Sequence, residues 1–218
     1  YKKSLAIKPD YAEAHNNLAG TLQELGQLDA AVKSYEKALA IKTDFADAHY
    51  NLAGALQRLG QLDAAVKSYV LALTVKPDYA EAFNNLGITL KELGQLDTAV
   101  KSYEQVLAIN PNFAEAHNNL GITLKELDQH DDAVKCFEKA LVIKPNYVDA
   151  HINLGISLQE LGQLDAAVKS YEKAVAIKPD FEDAHYNLGN TLNDLGQLDA
   201  AVKSYEQVLA INPNFAEA

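Results

Sequence analysis

The 218 residues carry 19 Lys and Arg against 30 Asp and Glu, a formal charge of −11. Phosphate binding needs clustered cations that release counterions, so this balance speaks against nucleic acid as a partner. No run approaches the roughly 18 apolar residues of a membrane span, no signal-like segment opens the chain, and the lone Cys136 excludes an internal disulfide and fits a reducing, cytoplasmic compartment.

A near-copy of LGQLDAAVKSYEKALAIKPD recurs at Leu25–Asp44, Leu59–Asp78, Leu93–Asn112, Leu127–Asn146, Leu161–Asp180 and Leu195–Asn214, with a constant step of 34 residues. A fixed period of this size marks a stacked array, in which each unit packs mainly on its neighbours and the core is a continuous strip. Residues 1–11 match the last third of a unit, six full units follow at 12–45, 46–79, 80–113, 114–147, 148–181 and 182–215, and 216–218 begin another. The expectation is one solenoid over 1–218, cut from a longer array.

Positions within a unit are numbered here from 1 at Ala12. Position 33 is Asp or Asn (Asp44, Asp78, Asn112, Asn146, Asp180), and position 2, three residues on, is acidic (Asp47, Glu81, Glu115, Asp149, Asp183). This predicts an N-cap at 33 and a first helix opening near 34. Positions 4, 7, 8 and 11, which are Phe83, Leu86, Gly87 and Leu90 in the third unit, share one helical face. Glycine at position 15 in five units (Gly26, Gly60, Gly94, Gly162, Gly196) predicts a left-handed helix terminus. Aspartate at position 18, from Asp29 to Asp199, predicts the N-cap of a second helix whose face uses Ala31, Tyr35, Ala38 and Leu39 in the first unit. Proline at position 32, which Pro9 fills in the leading fragment, stops that helix. Each unit is then a helical hairpin, and no strand pattern occurs.

These residues resemble the tetratricopeptide repeat, whose period is also 34 residues. The match covers the whole chain: Leu at position 7 (Leu18, Leu52, Leu86, Leu120, Leu154, Leu188), Gly or Ala at 8, Ala at 20 (Ala31, Ala65, Ala99, Ala133, Ala167, Ala201), Tyr or Phe at 24 and Pro at 32. Two departures are His at position 4 in five units, where the family often has an aromatic residue, and Thr43 in place of Pro. The resemblance implies an all-α, right-handed solenoid of helix-turn-helix hairpins whose first helices line a concave surface.

Position 6 is Asn in every unit: Asn17, Asn51, Asn85, Asn119, Asn153 and Asn187. At 100° per residue it lies about 200° from position 4, pointing away from the packed face. The ladder looks like that of O-GlcNAc transferase repeats, which implies side chains gripping a peptide backbone; recent duplication of one tolerated residue would give the same pattern. Position 13 is acidic in five units (Glu24, Glu92, Glu126, Glu160, Asp194), with Arg58 the exception. Acids near a helix C-terminus run against the dipole, so they point to basic partners, whereas helix capping explains position 2 unaided.

His15, His49, His117, His151 and His185 stand one per helix on the core face, a placement that suits packing better than a metal centre, whose ligands must converge on one ion. Lys33, Lys67, Lys101, Lys135, Lys169 and Lys203 at position 22 read as a solvated outer face, and Asp128, His130 and Cys136 in the fourth unit as drift. No singular catalytic constellation occurs, since every candidate recurs at the repeat period. The reading is a non-catalytic scaffold for proteins or peptides, with basic segments favoured and no cofactor or metal. One setting for it is the substrate-recruiting arm of a larger protein such as a glycosyltransferase. The alternative is a spacer or self-assembling module whose bare ends stack.

Overall fold

The computed structural model describes residues 11–215; the leading fragment 1–10, with Pro9, and the restart at 216–218 lie outside the described residues. Twelve helices and no strand occur among the described residues. They pair as α1 (Ala12–Glu24) with α2 (Leu28–Ile41), α3 (Ala46–Arg58) with α4 (Leu62–Val75), and α5 (Ala80–Glu92) with α6 (Leu96–Ile109). The series continues as α7 (Ala114–Glu126) with α8 (His130–Ile143), α9 (Val148–Glu160) with α10 (Leu164–Ile177), and α11 (Glu182–Asp194) with α12 (Leu198–Ile211). The chain is an all-α solenoid of stacked hairpins, built as two compact units that meet in sequence at Pro111 and Asn112, each holding three hairpins.

Every first helix ends in the same way. In the first hairpin Gly26 has φ 73°, its N–H donates to the Gln23 carbonyl at 3.1 Å, and the Gln27 N–H donates to the Leu22 carbonyl at 2.9 Å. This left-handed termination satisfies two orphan carbonyls and reverses the chain within three residues. Asp128 takes the same conformation without glycine, at φ 59°.

The expected caps are displaced, and the tight turn is the reason. The glutamine that closes one helix is also the cap of the next, so second helices begin at position 17 and Gln27, Gln61, Gln95, Gln129, Gln163 and Gln197 precede them without a side-chain cap bond. The position-18 aspartates therefore sit in the first turn of the helix, where they meet its positive dipole end. First helices begin at position 1, and their cap position holds the aromatic of position 34, again with no side-chain cap bond. That ring serves the turn differently: the position-31 ammonium lies over it, with Lys76 4.1 Å from the Tyr79 centroid and Lys178 4.3 Å from that of Phe181.

The core of each hairpin is a seam of small residues. The alanines at position 20 are buried in all six units, and so are those at position 3, which the apolar spacing overlooked because alanine carries little hydrophobic signal. The position-24 aromatic packs against this seam in two ways. In four units glycine stands at position 8, and a Cβ added to Gly87 would lie 2.6 Å from the Tyr103 ring. In the first two units alanine stands there instead, and the glycine is one residue later: a Cβ added to Gly20 or Gly54 would lie 3.8 Å from the Tyr35 or Tyr69 hydroxyl. Those two hydroxyls donate to Gln23 and Gln57 Oε1 at 3.2 and 3.3 Å.

The position-4 histidines fasten the turns. Nε2 of His49, His151 and His185 lies 2.9 Å from the carbonyls of Thr43, Pro145 and Pro179, which can only accept, so these nitrogens carry the proton. Positions 17, 21 and 28 of a second helix lie half-buried where another hairpin follows within the same compact unit, whereas Leu198, Val202 and Leu209 of α12 are exposed.

Candidate functional site

The face opposite the packed seam carries positions 2, 6, 9 and 13 of each first helix. Positions 6 and 13 are seven residues apart, two turns within about 20° of one another, so the asparagine and the acid of one unit lie on one line. Glu24, Glu92, Glu126, Glu160 and Asp194 are all exposed. The asparagines are not: Asn17 is exposed, while Asn51, Asn85, Asn119, Asn153 and Asn187 are half-buried.

Three of the half-buried asparagines bond to the neighbouring unit. Asn51 Nδ2 donates to Asn16 Oδ1 at 3.2 Å, Asn85 Nδ2 to the Tyr50 hydroxyl at 2.9 Å, and Asn153 Nδ2 to Asn118 Oδ1 at 3.1 Å. Each bond joins position 6 of one unit to position 5 of the unit before. In the fifth unit position 5 is Ile152, which offers no acceptor to Asn187. The carbonyl of position 6 is also used, since the Thr89, Thr123 and Thr191 hydroxyls donate to the Asn85, Asn119 and Asn187 main-chain oxygens at 2.8 Å. Sequence reasoning missed position 5 because the partners lie 35 residues apart and on different helices; the signal available was its polar or tyrosine character in five of six units.

Position 2 serves the hairpin. Glu13 lies 3.8 Å from Lys42 and Glu115 3.0 Å from Lys144, each pair closing the same unit. The Lys144 hydrogen bond holds the Glu115 carboxyl below its ordinary value. In the second compact unit His130 Nδ1 lies 3.0 Å from the Glu160 carboxylate. Burial pushes the Cys136 thiol up, away from the thiolate a nucleophile needs. Among the described residues no group of three His, Cys, Asp or Glu could hold a metal ion, and no helix is long and apolar enough to cross a membrane.

A cavity of about 410 Å³ lies away from this line, bounded by Leu141, Pro145, Asn146, His151, Lys173 and neighbouring residues. A second cavity, of about 250 Å³, lies on it, lined by Gly20, Gln23, Glu24, Tyr35, Asn51 and Arg58. Within each compact unit the line thus offers asparagine amides, of which Asn51, Asn85 and Asn153 are held in place, and exposed carboxylates, and in the first unit a concave polar opening, a surface suited to hydrogen bonding and charge pairing along an extended ligand.

Sequence-family comparison matches the model described as TPR repeat at residues 21–60, 58–94, 89–128 and 158–193. Further tetratricopeptide repeat models match 114–147 and 182–215, and 1–33 and 136–169. No curated protein sequence matches the chain. Among solved structures it is similar to MamA, with 26% identity, TM-score 0.71, and 79% of this chain and 96% of that chain covered. It is similar also to PilW, described as a widely conserved type IV pilus biogenesis factor, with 25% identity, TM-score 0.82, and 94% and 95% covered. YrrB, described as a TPR protein with an unusual peptide-binding site, shares the fold at 23% identity and TM-score 0.69, covering 84% of this chain and 95% of that one. With its family models spanning most of the sequence and its hairpins stacked at the family's period, the chain belongs to the tetratricopeptide repeat family.

Proposed function

We propose that the chain is a non-catalytic scaffold that binds extended protein segments along the asparagine lines of its compact units, Asn17, Asn51 and Asn85 in the first and Asn119, Asn153 and Asn187 in the second. The observation that carries this reading is the anchoring of the amides. Asn51 and Asn153 each spend one N–H on the preceding unit, which fixes the side chain and leaves the other N–H and the carbonyl oxygen able to pair with a peptide main chain. One such bond contributes only about 0.5–1.5 kcal/mol, comparable to the cost of ordering one peptide residue, so several units must act together. The exposed carboxylates of Glu24, Glu92, Glu126, Glu160 and Asp194 favour Lys- and Arg-bearing segments, and the net charge disfavours nucleic acid. One setting for such a scaffold is the substrate-recruiting arm of a glycosyltransferase.

A second reading is favoured by the same bonds: the asparagines are staples between units, and the array is a structural spacer or self-assembling module. Replacing Asn51, Asn85 and Asn153 together by Ala separates the two. Loss of anisotropy-detected binding to a labelled Lys-bearing Ser-Gly peptide, at unchanged helicity, supports peptide binding. Undiminished peptide binding by the triple variant refutes the ladder as the site.

A further inference from the structure

We propose that the first compact unit selects a segment of alternating charge, in which a basic residue, two of any kind, an acidic residue, two more and a second basic residue follow in order. This names the ligand class of the peptide-binding face and rests on that reading.

Arg58 is the single break in the position-13 series, and in the first compact unit it stands between Glu24 and Glu92. Its side chain is held in the groove between α1 and α3, where Nη1 donates to the Gln23 carbonyl at 3.3 Å near the negative end of α1. That bond uses one of five guanidinium donors. Arg58 and Glu24 line the same 250 Å³ cavity without forming an ion pair, so the guanidinium keeps a fork suited to a carboxylate. Gly20, in the middle of α1, has no side chain to fill that cavity. Glu92 is hydrogen-bonded at 3.0 Å by the neutral Gln57 amide, which orients its carboxylate and leaves its charge uncompensated.

The three charges thus repeat once per hairpin. Packed helices stand about 8–10 Å apart, and an extended peptide advances about 3.3 Å per residue. Every third ligand residue therefore meets the next position 13, and the matching sequence of charges is basic, acidic, basic.

The test uses the full chain with Glu126→Gln, Glu160→Gln and Asp194→Asn, which removes the competing carboxylates of the second unit. Two labelled Ser-Gly peptides are titrated at low ionic strength, because exposed charges are screened within about 10 Å in 0.1 M salt. One carries Lys, Glu and Lys at every third residue, and the other carries Lys at all three. The first is expected to bind about two- to five-fold more tightly, as exposed ion pairs allow. Arg58→Glu is expected to reverse the order, and Arg58→Gln to remove the advantage of the Glu-bearing peptide. A preference absent in the parent, or unchanged by Arg58→Glu, overturns the charge pattern while peptide binding stands. If neither peptide binds, the peptide-binding reading falls and the pattern falls with it.

Discussion

Glycine to alanine, made at two neighbouring register positions, should shift stability in opposite directions. At Gly54 the added methyl meets the Tyr69 hydroxyl at 3.8 Å, an ordinary contact. The gain is then that of replacing a helix-interior glycine, about 0.5–1 kcal/mol. At Gly87 the methyl would lie 2.6 Å from the Tyr103 ring, and that tyrosine is fully buried. Overpacking of this kind costs about 1–3 kcal/mol, against a helical gain of about 1 kcal/mol, leaving a net loss of about 1 kcal/mol. For a chain of this length 1 kcal/mol moves the melting temperature by about 2–4 °C. Thermal unfolding followed by circular dichroism should show Gly54→Ala above the parent and Gly87→Ala below it. In a Tyr103→Leu background the Gly87→Ala effect should change sign, because the ring that opposes the methyl is gone. Shifts of the same sign for both single variants, or an unchanged Gly87→Ala effect beside Leu, would refute the account of the two packing modes.

Tyr50→Phe should remove the acceptor of Asn85 and lower stability by about 1 kcal/mol, read as a fall of a few degrees in melting temperature; no change would deny the bond between units a structural role. Asp128→Gly should raise the melting temperature, since a non-glycine residue in the left-handed region costs about 1–2 kcal/mol, and a fall would mean that the Asp128 side chain contributes more than its backbone loses. Burial raises the Tyr35 hydroxyl to about 12 and raises those of Tyr69 and Tyr171 as well. The unfolded chain then loses these protons first, so stability is full below about pH 10 and is lost as pH rises through the folded values. The triple change of these tyrosines to Phe, already present as Phe137 in the fourth unit, should flatten that alkaline loss, and an unchanged slope would place its origin elsewhere.

The sequence by itself determined the hairpins. A 34-residue period, glycine at position 15 and proline at 32 are local instructions, each acting through a few adjacent residues, and helix ends at Gly26 and before Pro77 follow from them. Helix starts were less legible: capping signals at positions 18 and 33 are real preferences, but the left-handed turn leaves only glutamine free to precede the second helix, and geometry overrode propensity. The angular separation of the asparagines from position 4 was also readable, because it depends only on 100° per residue. What they touch was not. The bonds of Asn51 to Asn16 and of Asn85 to Tyr50, the proton on His49 Nε2 directed to the Thr43 carbonyl, and the setting of Arg58 against Gln23 all arise where helices from different stretches of chain meet. Only the tertiary structure decides such contacts, because side-chain bonds of about 3 Å depend on helix placement that no local periodicity specifies.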